Sequence, residues 1–381
     1  MKINQLFGNP NYVGNEIKPL TDWWILILTI PILLAGITTM HSFSGDFSYA
    51  YRQIFVIILA LSAFLFISVF FDTKVLRSTT TSVALFITII LLLGSLSVIG
   101  KISHGAQSWF DFGILSFQPS DFAKVALIII LAKYFSRRHI EIANIKHILV
   151  SGFYAFVLFF MVLMQPDLGS AMIIVFIWLG MIMVSGVSKK HLLAMIVVAI
   201  VSFALLWNFA FKEYQKDRIH NFIDPNSDIR GSGYNAHQSK IAVGSGYIFG
   251  KGVGYGTQSK LSFLPEYQTD FIFAAFAEEW GFVGVVIFFT LYGLFIWRVI
   301  RLAVNGSSNF EILFGVGVAI YFIVHLVINV GMNIQLLPVT GTPLPFMSYG
   351  GSHMLSEYTL LGILVAMKRY SRTTHRDLVI N

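Results

Sequence analysis

Residues 80–99 read TTSVALFITIILLLGSLSVI, twenty consecutive positions without a charged side chain. A hydrocarbon core about 30 Å thick is crossed by roughly 20 apolar residues in a helix. A membrane-spanning strand would alternate apolar and polar residues, and this run does not, so it predicts a helix rather than part of a barrel. Working outward, runs of the same kind lie at 22–40, 53–71, 119–135, 147–165, 170–187, 191–211, 271–297, 310–335 and 353–367. The composition agrees: 56% of residues are hydrophobic and only 12% charged, and the mean hydropathy is +0.74, which excludes a soluble globular surface. The fold class expected is an all-α polytopic membrane protein of about ten transmembrane helices, in a single domain over residues 1–381.

Orientation follows from the basic residues. Lys2 and Lys18, Lys74 and Arg77, Arg137, Arg138 and Lys146, Lys189 and Lys190, Arg298 and Arg301, and Lys368, Arg369 and Arg372 fall at alternate ends of the spans, and those ends are cytoplasmic by the positive-inside rule. Both termini are therefore expected inside, as an N-terminal segment 1–21 and a tail 368–381. A large extracytoplasmic loop, 212–270, separates the seventh and eighth spans. The net charge of +7 is then mainly a topological signature, and no basic-aromatic nucleic-acid module is visible. The chain has no cysteine, so no thiolate or disulfide chemistry is available. The first 21 residues lack a small-residue cleavage pattern, so no removable signal peptide is expected.

The chemistry-bearing residues gather at the outer ends of the spans. Asp270 closes the long loop at the mouth of span eight, where an ionisable group is costly to keep and is a functional candidate by default. Glu278 is expected near the same helix face as Asp270, with Glu279 rotated away. Asp121 and Lys124 open span four three residues apart and share a face, which should point into the bundle as a structural ion pair or as part of the site. Asp167, in Gln165-Pro-Asp-Leu-Gly169, reads as a turn former or helix cap rather than a catalyst. Trp109 and Phe110 fit either an interfacial belt or a stacking surface for a sugar. Gly244 to Gly256 does not make a P-loop, there is neither a Gly-x-Ser-x-Gly elbow nor a Ser-x-x-Lys, and the histidines lack metal-ligand spacing. One carboxylate beside several cations suits displacement of a phosphate or pyrophosphate by a hydroxyl. On these residues alone an enzyme and an ion-coupled carrier remain alternatives.

Taken together, Gln118-Pro-Ser-Asp-Phe-Ala-Lys124, Gln165 to Gly169, Gly231-Ser-Gly-Tyr234, Gln238 to Gly246, Leu264 to Phe273 and Gly341-Thr-Pro-Leu-Pro-Phe-Met-Ser-Tyr-Gly-Gly-Ser352 resemble the SEDS family (shape, elongation, division and sporulation) in the family's own order. The elongation branch is the better match. The resemblance implies a peptidoglycan glycosyltransferase of the bacterial cytoplasmic (inner) membrane, polymerising lipid II at the outer face. A lipid II flippase is the alternative. Asp270 matches the family's essential aspartate, and Trp109 matches the aromatic of the first large outer loop. Asp121 stands where Glu is usual, which shortens the pair with Lys124 by a methylene. Arg218, Lys240 and Lys124 are candidate pyrophosphate contacts, and Glu266 and Ser348 are further substrate-binding candidates within the matching stretches. A divalent cation such as Mg2+ is a possible cofactor. The partners implied are lipid II, a class B penicillin-binding protein whose single helix docks on spans eight and nine near Gly284, Gly315 and Gly317, and other membrane proteins of the elongation complex. His353, after Gly350-Gly351-Ser352, has no explanation in the sequence.

Overall fold

The computed structural model describes residues 22–44, 48–103, 106–111, 116–137, 145–209, 211–224, 231, 233–261 and 263–377. The N-terminal segment 1–21 with Lys2 and Lys18, the residues His104, Gly105, Arg138 and Ser232, and 225–230 and 378–381 lie outside the described residues.

Each of the ten apolar runs forms a helix: α1 (Trp23–Ser44), α2 (Ser48–Phe70), α3 (Thr79–Ile99), α4 (Pro119–Ser136), α5 (Ile145–Met164), α6 (Leu168–Val184), α7 (Lys189–Phe209), α11 (Ile272–Val304), α12 (Asn309–Asn333) and α13 (Gly351–Asp377). Seven of these are long and apolar enough to cross a membrane by composition. Of the other three, α6 has only 17 residues, while α4 contains Asp121, Lys124 and Lys133, and α13 contains His353 and Glu357. Among its described residues the long outer loop, which the sequence presents as turn chemistry, holds three further helices: α8 (Glu213–Ile223), α9 (Tyr234–Ser245) and α10 (Thr257–Lys260). The loop before α4 forms a small antiparallel sheet of β1 (Lys101–Ser103), β2 (Ala106–Asp111) and β3 (Ser116–Phe117), in which Lys101 pairs with Trp109 and Phe110 with Phe117.

Helix starts follow capping chemistry. Ser78 accepts the Thr81 N–H at 3.0 Å ahead of α3, and Ser308 accepts from Glu311 ahead of α12. Pro119 opens α4, where its missing N–H costs nothing. Asp167 caps α6 by accepting the Ser170 N–H at 3.0 Å, as its sequence context indicates. α4 is the central helix, buried along nearly its whole length and packed by α3, α6 and α12. α7 has no buried residue at all.

Span eight departs from a simple helix. Gly281, with φ +63°, breaks α11 into a buried piece, 272–280, and a longer arm. A Cβ at Gly281 would lie 2.2 Å from the Gly250 nitrogen, so both the left-handed backbone and the close approach require glycine. The loop 246–256 docks into this break: Lys251 and Gly252 N–H donate to the carbonyls of Glu278 and Glu279 at 3.0 Å, and Phe282 and Val283 N–H donate to those of Tyr247 and Ile248.

Candidate active site

Asp270 sits in the turn before α11, half-buried, with Phe271 at the non-helical entry to the helix. The expectation that Asp270 and Glu278 share a helix face therefore fails, because Asp270 is not in the helix. Glu278 is fully buried and committed elsewhere. It accepts from Lys251 Nζ at 2.8 Å, Thr257 Oγ1 at 3.1 Å and the Gln258 N–H at 3.1 Å. Glu279 accepts from Ser42 Oγ and from the Gly254 N–H. Two buried carboxylates thus hold the glycine-rich loop on the broken helix, whereas Asp270 lies half-buried in the turn before it.

The backbone at Asp270 is fixed by two asparagines of α12. Asn329 and Asn333 are both fully buried, and each donates its side-chain N–H to the Asp270 carbonyl at 3.0 Å. Asn329 also donates to the Thr342 carbonyl at 2.7 Å, and Asn333 Oδ1 accepts the Ala274 N–H in the first turn of α11. One pair of amides therefore ties together the aspartate, the helix behind it and the 339–350 segment. That segment reaches the carboxylate itself: a Cβ at Gly341, whose φ is +74°, would stand 3.3 Å from Asp270 Oδ2. Neither asparagine is singled out by sequence reasoning. The signal for them is an i, i+4 amide pair in an otherwise apolar helix, where each polar group needs a partner.

The remaining candidates divide. Ser348 is buried; its Oγ donates to the Thr269 carbonyl at 2.6 Å and accepts the Leu344 N–H, so it fastens the 339–350 segment to the residue beside Asp270. Glu266 closes the turn onto Asp270: its carbonyl accepts the Thr269 and Phe271 N–H groups and its carboxylate the Thr269 hydroxyl. Both act as scaffold in this arrangement. Arg218, on α8, donates to the Thr340 carbonyl at 3.3 Å, which brings a cation next to Gly341. Lys240 is exposed on α9, and Trp109 is half-exposed in β2.

Asp121 and Lys124 meet at 3.0 Å inside the bundle, 2% and 1% exposed. They belong to a larger cluster that explains His353. Its Nδ1 lies 3.6 Å from Asp121 Oδ1, and its Nε2 lies 2.8 Å from Glu357 Oε1. The His353 and His325 rings are 4.8 Å apart, with Tyr321 against both. Helix rise puts Lys124, Glu357 and His325 roughly 8–12 Å below the outer ends of their helices, so the cluster forms one layer under the 339–350 segment. It is joined to the segment above. Glu357 Oε2 accepts the Phe346 N–H at 3.2 Å, and His325 Nδ1 lies 3.4 Å from the Pro343 carbonyl. Phe346 has φ +63°, a strained conformation that persists only where neighbours over-determine it. It is clamped between the rings of Phe295, Phe322 and Tyr358.

Two of the glycines expected to receive a partner helix are used inside the bundle: a Cβ at Gly315 would meet Ala303 at 2.5 Å and one at Gly317 would meet Ile128 at 2.7 Å. The third, Gly284, faces its own helix, where a Cβ would meet Trp280 at 2.3 Å. The lipid-facing surface of α11 is instead made of large residues, Phe282, Ile287 and Trp297 among them.

Comparison with known proteins agrees with this fold. The FtsW/RodA/SpoVE family profile, described as cell cycle protein, matches residues 20–373. The peptidoglycan glycosyltransferase MrdB of Escherichia coli K12 is 38% identical over 295 residues, 77% of this chain and 78% of the relative. Stage V sporulation protein E of Bacillus subtilis is 33% identical, over 93% of this chain and 99% of the relative. Among solved structures, a chain from a peptidoglycan synthase complex that coordinates polymerization and crosslinking superposes with a TM-score of 0.79 at 29% identity, over 92% of this chain and 98% of that one. The rod shape determining protein RodA of Thermus thermophilus superposes at 0.68 with 30% identity, over 94% and 98%. The chain belongs to the FtsW/RodA/SpoVE family, the SEDS proteins.

Proposed function

We propose that this chain is a peptidoglycan glycosyltransferase that polymerises lipid II at the outer face of the cytoplasmic membrane during cell elongation, with Asp270 as general base. The observation that carries the reading is the way Asp270 is held: a backbone pinned by Asn329 and Asn333, and a half-buried side chain whose carboxylate lies beside Gly341. Such a group is placed before substrate arrives, which is what general-base catalysis requires.

In the reaction, the 4-hydroxyl of an incoming lipid II gives its proton to the Asp270 carboxylate. Its oxygen attacks the anomeric carbon of the growing glycan with inversion, the bond from that carbon to the pyrophosphate oxygen breaks, and the lipid pyrophosphate leaves with the electron pair. The leaving group needs positive charge more than a proton. Arg218, which donates to the Thr340 carbonyl beside Gly341, is the first candidate to supply it, and the exposed Lys240 on α9 is the second. Trp109 in β2 offers a ring face for a sugar. Lys124 is buried in its pair with Asp121 and is better suited to fixing the layer beneath Asp270 than to touching pyrophosphate.

Mg2+ prefers six oxygen ligands and commonly keeps water and phosphate among them. Among the described residues no group of three or more His, Asp or Glu side chains is placed to hold a metal ion, so any such ion would rest mainly on substrate phosphate and water, and no step is routed through one. A class B penicillin-binding protein is the transpeptidase partner proposed, since this chain has no Ser-x-x-Lys of its own. Its helix would lie against the large apolar face of α11 rather than on a glycine seam. Purified protein given labelled lipid II tests the function directly: glycan chains should form. Transfer of lipid II across vesicle membranes without chain formation would favour the carrier reading and overturn this one.

A further inference from the structure

At the opposite, cytoplasmic end of the bundle a cavity of about 310 Å³ is lined by Arg77, Lys133, Ser136, Arg137, Ser308, Asn309 and Phe310. Three of these residues are cations, and three form the first turn of α12 with its cap. N–H groups in a helix's first turn have no acceptor within the helix and carry its positive dipole end. Among the described residues one acidic side chain answers them: Glu311 pairs with Arg77 and accepts the Ser307 N–H at 2.7 Å. Lys133 and Arg137 are the two further cations of the lining.

Lys133 is the telling residue. It is 8% exposed, and its Nζ is buried without a hydrogen-bond partner among the described residues. Arg77 Nε is likewise buried without one. A buried ammonium lacking both an acceptor and a counter-charge is among the most costly arrangements in a protein, and two buried donors lining one cavity imply that an acceptor belongs between them. We propose that this pocket binds a phosphate group at the cytoplasmic face, with Lys133 and Arg77 Nε donating to its oxygens, Arg137 balancing its charge and the first turn of α12 completing the cradle. Phosphate fits better than a carboxylate because it brings up to two negative charges and enough oxygens to reach several donors. The cavity lies where the transmembrane helices end, at the level of inner-leaflet headgroups. The phosphate can therefore belong to an anionic phospholipid or be free in the cytoplasm, with the same chemistry in either case. The site is remote from Asp270 and independent of the catalytic reading.

The test uses the whole protein in a maltoside detergent, which carries no phosphate. The thermal unfolding midpoint is followed while inorganic phosphate is added, and separately while phosphatidylglycerol is mixed into the micelles, with chloride and phosphatidylcholine as controls. A ligand bound to the folded state raises the midpoint saturably. Such a rise is expected with phosphatidylglycerol, with inorganic phosphate, or with both, and which of them produces it identifies the source. Lys133→Met should weaken the apparent affinity by roughly tenfold or more, the worth of one charge-assisted hydrogen bond, and Lys133→Arg should keep most of it. Should Lys133→Met fail to accumulate, the exposed Arg137→Gln must show weakening in the same sense. The proposal is overturned if neither probe gives a saturable rise beyond its control, or if the rise survives unchanged in Lys133→Met, or in Arg137→Gln where that variant stands in.

Discussion

Two clusters of ionisable side chains, one beneath Asp270 and one around Asp22 at the opposite end of the bundle, sit under different conditions. At the outer end, Asp121, Lys124, His353 and Glu357 are each no more than 5% exposed, drawn from α4 and α13 and packed as one layer beneath Asp270. At the inner end, Asp22 is buried but its partners Arg298 and Lys368 are not; their side chains are 18% and 24% exposed and pair with it at 2.6 and 2.8 Å. The outer charges support the segment that touches the candidate base. The inner ones clip α1, α11 and α13 together where water can reach them. Burial decides how much each group matters, because an unpaired charge is costly where solvent cannot rescue it.

Asp270 should mark the largest difference between the ends. Asp270→Asn keeps shape and hydrogen bonding but loses basicity, so polymerisation by the purified variant should fall roughly 10²- to 10⁴-fold at normal membrane abundance. Near-wild-type glycan yield would remove Asp270 from the role of base and leave the outer layer with nothing to position.

The layer beneath it comes next. Asp121→Ala or Lys124→Ala strands its partner in the bundle, at a cost of about 3–5 kcal/mol for a truly buried pair, and each variant should lose abundance or activity. Quantitative membrane levels together with polymerase assays check this. If both variants accumulate and polymerise normally, the outer charges are no more buried in practice than the inner ones.

Much of this contrast is legible in the sequence, and what is not has a common cause. Spans, orientation, the Asp121 and Lys124 pair and the cap at Asp167 follow from local periodicity, charge position and turn chemistry, which depend on neighbours a few residues away. Glu278, His353 and Gly281 do not. Glu278 reads as a companion of Asp270 because both fit one helical template, yet its carboxylate accepts from a loop twenty or more residues upstream. His353 has meaning only beside Asp121, which arrives from another helix. Gly315 and Gly317 look like a docking seam because sequence cannot say which face of a transmembrane helix meets lipid and which meets protein.

The asparagine pair gives an intermediate effect that separates holding from chemistry. Asn333→Ala leaves the Ala274 N–H without its acceptor and removes one of two donors from the Asp270 carbonyl, a loss of about 1–3 kcal/mol. Because these amides fix where the carboxylate stands, kcat should drop while KM changes little, and Asn333→Asp should not restore it, since the donor is missing. A rise in KM alone would mean that the pair shapes substrate binding rather than the base.

The inner clip should give the smallest effect and a pH signature of its own. Burial raises the pKa of the Asp22 carboxyl, but hydrogen bonds from Arg298 and Lys368 and their charges outweigh it and hold the group below its ordinary value of 3.8. A carboxylate depressed in the folded state contributes stability that is fully present above its unfolded pKa and is lost as pH falls toward the folded one. Asp22→Asn should therefore lower stability by about 1 kcal/mol, the upper end for pairs open to solvent, and by the same amount throughout the neutral range. The gap between wild type and variant should close only as the pH drops below about 4, where carboxylates begin to protonate. Thermal midpoints of both proteins in detergent across that range measure it, with polymerase activity unchanged at neutral pH. A gap that widens on acidification, or a loss as large as that at Asp121, would show the inner end to be as closed to water as the outer layer and would erase the contrast between them.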